Sequence, residues 1–134
     1  MFHGETSSKY SVGQLGENLA CEYLIGKGYR ILKRNYREKW GEIDVIARAR
    51  TNDLIFVEVK ALKESPAGGL LPEDNLTPAK LKKLQRTCSE FVAENPDMVR
   101  NGRGWQIDLV AIKLPIDSGN TVLKNCEINH YENI

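Results

Sequence analysis

The stretch Gly41–Lys60, GEIDVIARARTNDLIFVEVK, sets two Ile- and Val-rich segments on either side of a polar Thr51-Asn52 turn. β-branched runs bounded by turn residues are the pattern of a β-hairpin. Folded antiparallel about Thr51-Asn52, residues whose numbers sum to about 102 or 103 face one another. Asp44 then stands across from Glu58, and Glu42 near Lys60. Side chains alternate between the faces of a strand. Ile43, Val45 and Ala47 are therefore expected on one face with Ile55, Val57 and Val59, an apolar surface that needs a helix over it. Glu42, Asp44 and Ile46 fall on the other with Leu54, Phe56, Glu58 and Lys60. That second face is apolar near the turn and charged at the open end, whereas a solvated face is polar along its length. Opposed Cβ atoms lie about 5 Å apart, so Asp44 and Glu58 repel each other as a dianion. A proton, a cation such as Lys60 or a divalent metal has to compensate. Mg²⁺ takes oxygen ligands and keeps several waters, so two converging carboxylates suit it.

Outward from the hairpin, Val12, Leu15, Leu19, Ala20, Tyr23 and Leu24 share a helical face, with Ser11 as N-cap and Gly26 or Gly28 as the stop. Tyr29–Tyr36 alternates as a strand. Residues 63–75, KESPAGGLLPEDN, read as a loop expected to be mobile. Thr77-Pro78 pairs an N-cap with a first-turn proline. The helix it opens runs to about Glu94 with Leu81, Leu84, Cys88, Phe91 and Val92 inward. Trp105–Leu114 is apolar almost throughout, so it reads as an interior strand. After a turn at DSGN (117–120), a last edge strand is expected over Thr121–Tyr131. Helix, three strands, helix, strand is an α/β layout: a mixed β-sheet with helices packed on it. The expected organisation is a flexible leader, residues 1–11, and one domain, residues 12–134.

Composition narrows the class. With 134 residues, 41% hydrophobic and 28% charged, the chain can bury a core and is not a disordered segment. It has no apolar run near the roughly 20 residues that span a bilayer, and its opening MFHGETSSKYS has no secretory h-region. Three scattered cysteines, Cys21, Cys88 and Cys126, form no CxxC pair, and a reduced, cytoplasmic setting follows. A net charge of +1 does not announce a nucleic-acid binder, yet Lys27–Lys39 and Lys80–Arg86 are strongly basic. Those runs are solvated faces on composition alone, or they hold a phosphate backbone. His3 and His130 sit near opposite ends, which disfavours a histidine nuclease or a zinc site.

An acid followed by Glu-x-Lys on a neighbouring strand is the arrangement of PD-(D/E)xK nucleases. The longer string is more specific. GQLGENLA on the first helix, RNY, GEIDVIA, FVEVK, LTPAKLKKL and IDLVAIK, in that order across residues 11–113, resemble the YraN-like family of small, uncharacterised bacterial proteins. That family is grouped by fold with restriction endonucleases and archaeal Holliday-junction resolvases. The resemblance implies a restriction-endonuclease-like fold and a Mg²⁺- (or Mn²⁺-) dependent endonuclease acting on DNA, branched DNA in repair or recombination included. It implies Asp44 and Glu58 as metal-binding acids, the Val59 carbonyl as a further ligand, and Lys60 as the group that orients water and steadies charge on the phosphate. Glu17 matches an acid that related resolvases carry on the first helix. On its residues alone Glu17 is equally a surface acid favoured in a first helical turn. Resolvase relatives act as dimers, so a homodimer is among the implied partners, with nucleic acid. Two positions depart from the family: Leu62 and Gln106 stand where relatives usually carry arginine, a fork-shaped phosphate donor.

Two further acids have local readings. Glu42, about 6.6 Å along the strand from Asp44, is expected to pair with Lys60 or an arginine. Asp108, in an apolar strand, is expected to have a buried structural partner. Three functions compete on these residues: the nuclease, a nucleic-acid binding module with a vestigial metal site, and a structural adaptor whose charges only pair with one another.

Overall fold

The computed structural model describes residues 11–65, 68–69, 71–99, 102–116 and 123–134. The expected leader (save Ser11), the DSGN turn and the expected strand start at Thr121-Val122 lie outside them. Helix α1 spans Val12–Gly26. Ser11 caps it in a reciprocal box: its Oγ accepts from the Gln14 N–H (3.1 Å), and the Gln14 side chain accepts from the Ser11 N–H (3.3 Å). Gly28, at φ +93°, turns the chain out of the helix while the Tyr29 N–H donates back to the Leu24 carbonyl at 2.9 Å. Strands β1 (Arg30–Glu38), β2 (Gly41–Arg48) and β3 (Leu54–Lys63) follow, then helix α2 (Pro78–Glu94), β4 (Trp105–Leu114) and β5 (Glu127–Tyr131).

The five strands form one sheet in chain order. β1–β2, β2–β3 and β4–β5 are antiparallel; β3–β4 is parallel, with α2 in the crossover. This is the expected mixed α/β layout, with β4 in the interior. The final strand is shorter than expected, because Leu123–Asn125 winds into a 3₁₀ turn first. The 63–75 loop holds its own 3₁₀ turn, Pro72–Asn75, with Pro72 buried. No helix among the described residues is long and apolar enough to cross a membrane.

Both faces of the sheet are covered. Leu19, Ala20 and Leu24 of α1 pack on Val45, Ala47, Ile55, Val57, Val110 and Ile112. Leu84, Cys88 and Phe91 of α2 pack on Ile46, Leu54, Phe56 and Ile107. Burying both faces is what lets β3 and β4 read as nearly continuous apolar runs. One expectation fails here. Ile43 packs with the α2-side cluster and not with Val45 under α1. Alternation breaks at Asp44, and at that level β1 carries Asn35 at φ +52°. Asparagine tolerates this left-handed conformation, and the kink turns Arg34 and Asn35 together toward α1 while Tyr36 stacks edge-on against Phe91.

Two close approaches seat the helices. A Cβ on Gly16 would lie 2.5 Å from the Ala61 Cβ, so glycine lets α1 come down onto β3. A Cβ on Gly41 would lie 2.3 Å from Thr87 Oγ1, so the start of β2 runs directly against α2.

Candidate active site

The β2–β3 ladder runs from Arg48↔Leu54 to Val45↔Val57 and stops there. Beyond it the strands part into a fork with Asp44 at its base. In place of a ladder bond, the Val59 N–H donates to Asp44 Oδ2 at 2.8 Å. The N–H and C=O of one antiparallel strand residue point to the same neighbour, so the Val59 carbonyl also faces the fork.

A cleft opens on each side of the fork. The one on the α2 side, about 370 Å³, is lined by Glu42, Asp44, Glu58, Val59 and Lys60 of the strands and by Lys80, Lys83 and Thr87 of α2. Glu58 and Lys60, two residues apart on β3, share one face and form an ion pair of 3.2 Å. Thr87 donates to the Lys83 carbonyl at 3.0 Å and holds the turn between β1 and β2 through the Trp40 carbonyl at 3.3 Å. The cleft on the α1 side, about 400 Å³, is lined by Gln14, Glu17, Asn18, Arg34, Asn35 and Arg37, together with the same Asp44 and Val59. Glu17 is only 7% exposed. Its Oε1 accepts from Arg34 Nη2 at 3.0 Å, Arg34 Nε at 3.2 Å and Asn35 Nδ2 at 2.9 Å.

Burial pushes the Asp44 carboxyl up from 3.8 to about 7, and the neighbouring Glu58 adds to the rise. The Val59 N–H and Lys60 oppose it without prevailing. Two converging, buried carboxyl groups call for compensation by a proton or a cation. No group of three or more His, Cys, Asp or Glu able to hold a metal occurs among the described residues. Two carboxylates and a carbonyl are nonetheless an all-oxygen set, which fits Mg²⁺ or Mn²⁺ completed by water.

Asp44, Glu58, Val59 and Lys60 thus meet at one mouth. Glu17 shares the cleft on the opposite face with Asp44 and does not line the cleft that holds Glu58 and Lys60. The expected pairing of Glu42 with Lys60 is replaced by Glu58–Lys60, because residues two apart on a strand share a face and the fork carries β2 away. Glu42 stays exposed, across the ladder from Arg37. Asp108 has the structural partners expected of it. Fully buried, it accepts from His130 Nε2 (2.8 Å), Gln106 Nε2 (2.9 Å) and the Asn133 N–H (3.0 Å). Burial alone would raise its pKa, but these donors together outweigh burial and hold it low. Gln106 lies beside Ile55, at the turn end of the hairpin, so its departure from arginine is remote from the acids. Leu62 lies two residues past Lys60 on β3 and lines neither cleft.

Arg34, Asn35, Arg37, Lys80 and Lys83 were legible as members of basic runs and, Arg37 apart, of the motifs RNY and LTPAKLKKL, but not as lining of the site. The signal that separates Arg34 and Asn35 from the rest is an asparagine interrupting a strand pattern, which marks a kink.

A profile of the family described as "Uncharacterised protein family UPF0102" matches residues 16–112. A UPF0102 protein of Mycolicibacterium vanbaalenii is 37% identical over 109 residues, covering 81% of this chain and 85% of its own. The UPF0102 protein of Mycobacterium ulcerans is 36% identical over 114 residues (82% and 87%). That of Mycobacterium bovis strain BCG / Pasteur is 35% identical over 132 residues, covering 97% of this chain and 96% of its own.

Proposed function

The chain belongs to the UPF0102 family, the YraN-like proteins, and from that premise and the geometry of the fork we propose that it is a divalent-metal-dependent endonuclease hydrolysing phosphodiester bonds in DNA, branched DNA of repair or recombination included. The observation that carries this reading is the convergence of Asp44, Glu58 and Lys60 in one cation-lined cleft. The buried free thiols Cys21 and Cys88 suit a reduced, cytoplasmic setting, which belongs to the same proposal. A junction has two-fold symmetry, so action on one would call for a homodimer.

Hydrolysis joins the oxygen of one water to phosphorus, breaks one phosphorus–oxygen bond and moves one proton from that water to the leaving alkoxide. Asp44, Glu58 and the Val59 carbonyl would hold Mg²⁺ or Mn²⁺. When bound, such a metal supplies Lewis acidity toward a phosphate oxygen and lowers the pKa of water. The chain's own groups do the positioning. The Val59 N–H pins one Asp44 oxygen. Glu58 holds the Lys60 ammonium at 3.2 Å, where it offsets charge developing on the phosphate. Glu17, clamped by Arg34 and Asn35, would present a fixed acid on the α1 side of Asp44.

Purified protein is expected to nick junction, flap, single-stranded or duplex DNA with Mg²⁺ or Mn²⁺, and Asp44→Ala or Glu58→Ala to abolish the product. No cleavage of any of these substrates, or cleavage that survives both substitutions, overturns the reading. One observation favours a second reading, a binding module with a vestigial site: Leu62 and Gln106 stand where relatives usually carry arginine, and the net charge is only +1. That module would bind DNA in a salt-sensitive way with Asp44→Ala neutral or strengthening, and would release no heat on titration with Mn²⁺.

A further inference from the structure

Asp44 and Val59 line both clefts, although the clefts open on opposite faces of the sheet. Both residues sit at the fork left where the β2–β3 ladder ends at Val45↔Val57. Each side carries cations: Arg34 and Arg37 with α1, Lys60, Lys80 and Lys83 with α2. The carboxamide groups of Asn18 and Asn35 lie beside the first set, suited to sugar or base edges. The two volumes, about 400 and about 370 Å³, are nearly equal. Neither feature is needed by a site that grips a phosphate from one side only.

We propose that the two clefts are successive halves of one track for a single nucleic-acid strand, which crosses the sheet's open edge at Asp44 with its phosphates on either side held by Arg34 and Arg37 and by Lys80 and Lys83. The substrate is then single-stranded or locally unpaired DNA. A duplex is stiff over far more than one linkage, with a persistence length of about 150 base pairs, and cannot bend from one face of a sheet to the other at one phosphate. An unpaired strand turns freely at each linkage. This inference rests on the nuclease reading for the identity of the scissile linkage, but binding along the track does not require cleavage.

Arg37 and Lys83 are exposed, so reversing their charge leaves the core untouched. Lys124, exposed and outside both clefts, supplies the control. Binding of labelled oligothymidylate, and of its duplex with oligodeoxyadenylate, is followed by fluorescence anisotropy across a salt series without divalent ions. The single strand is expected to bind at least tenfold more tightly than the duplex. Arg37→Glu and Lys83→Glu should each weaken it several-fold and flatten the salt slope by about 0.7 for each phosphate no longer neutralised, with Lys124→Glu near parental. Equal affinity for duplex, or an Arg37→Glu effect no larger than that of Lys124→Glu, overturns the track. Cleavage is scored separately with Mn²⁺. Track-dependent binding without any cleavage keeps the track and removes the nuclease, whereas efficient nicking of intact duplex with Arg37→Glu at parental rate keeps the nuclease and removes the track.

Discussion

Asp44 is the residue on which most of the chemistry turns, and its environment predicts a pH signature that needs no substrate. Its folded-state pKa, pushed up to about 7, stands above the ordinary 3.8. The folded protein therefore holds this proton more tightly than the unfolded chain. The stabilisation it brings is complete below about pH 4 and is lost as pH rises through about 7. In metal-free protein, thermal melts of Asp44→Asn are expected to decline less over that range than parental melts, and to exceed them at pH 8. Coincident curves would show that Asp44 is not protonated in the fold. Asp108, the other buried acid, behaves oppositely because His130, Gln106 and the Asn133 N–H all donate to it. Asp108→Ala orphans buried donors and should cost about 3 kcal/mol in urea unfolding, while the heat of Mn²⁺ binding stays parental. Both acids interrupt apolar strands in the sequence. Only the count of donors around each separates a reactive group from a structural one.

At the scale of elements, the site depends on how closely two helices approach one sheet. Gly16 admits α1 to β3, which brings the adjacent Glu17 to the fork; Gly41 admits β2 to Thr87 of α2. Gly16→Ala sets two Cβ atoms at an impossible 2.5 Å, so α1 must lift, at a cost of about 1–3 kcal/mol by denaturant titration. Ala61→Gly in the same chain removes the opposing Cβ and should restore much of the loss, a coupling that separates clash from helix propensity. The helices, their caps and four strands could be read from period and punctuation, since those signals are local. Two element-level features could not. The Asn35 kink sends Ile43 to the α2 side against simple alternation, and the shortened last strand follows from the 3₁₀ turn at Leu123–Asn125.

For the whole molecule, a cation at the fork would tie β2 to β3 where their ladder has ended. Anything that binds only the folded state stabilises it, by about 2.7 kcal/mol at a hundred times Kd. Mn²⁺ at pH 8 is therefore expected to raise Tm by several degrees, and not to do so in Asp44→Asn/Glu58→Gln. An unchanged parental Tm at millimolar Mn²⁺ would count against a metal site. The sequence by itself determined the class of fold, the hairpin register and the meeting of Asp44, Glu58 and Lys60, because strand period and turn position are local rules that carry over to three dimensions. The tertiary structure alone decided that Glu17 lines a cleft with Asp44 on the other face, that Lys60 pairs with Glu58 and not Glu42, and that Asp44 and Val59 line a cleft on each face. Those facts depend on where one strand pair stops and how near each helix lies, which are set by packing between residues distant in the chain.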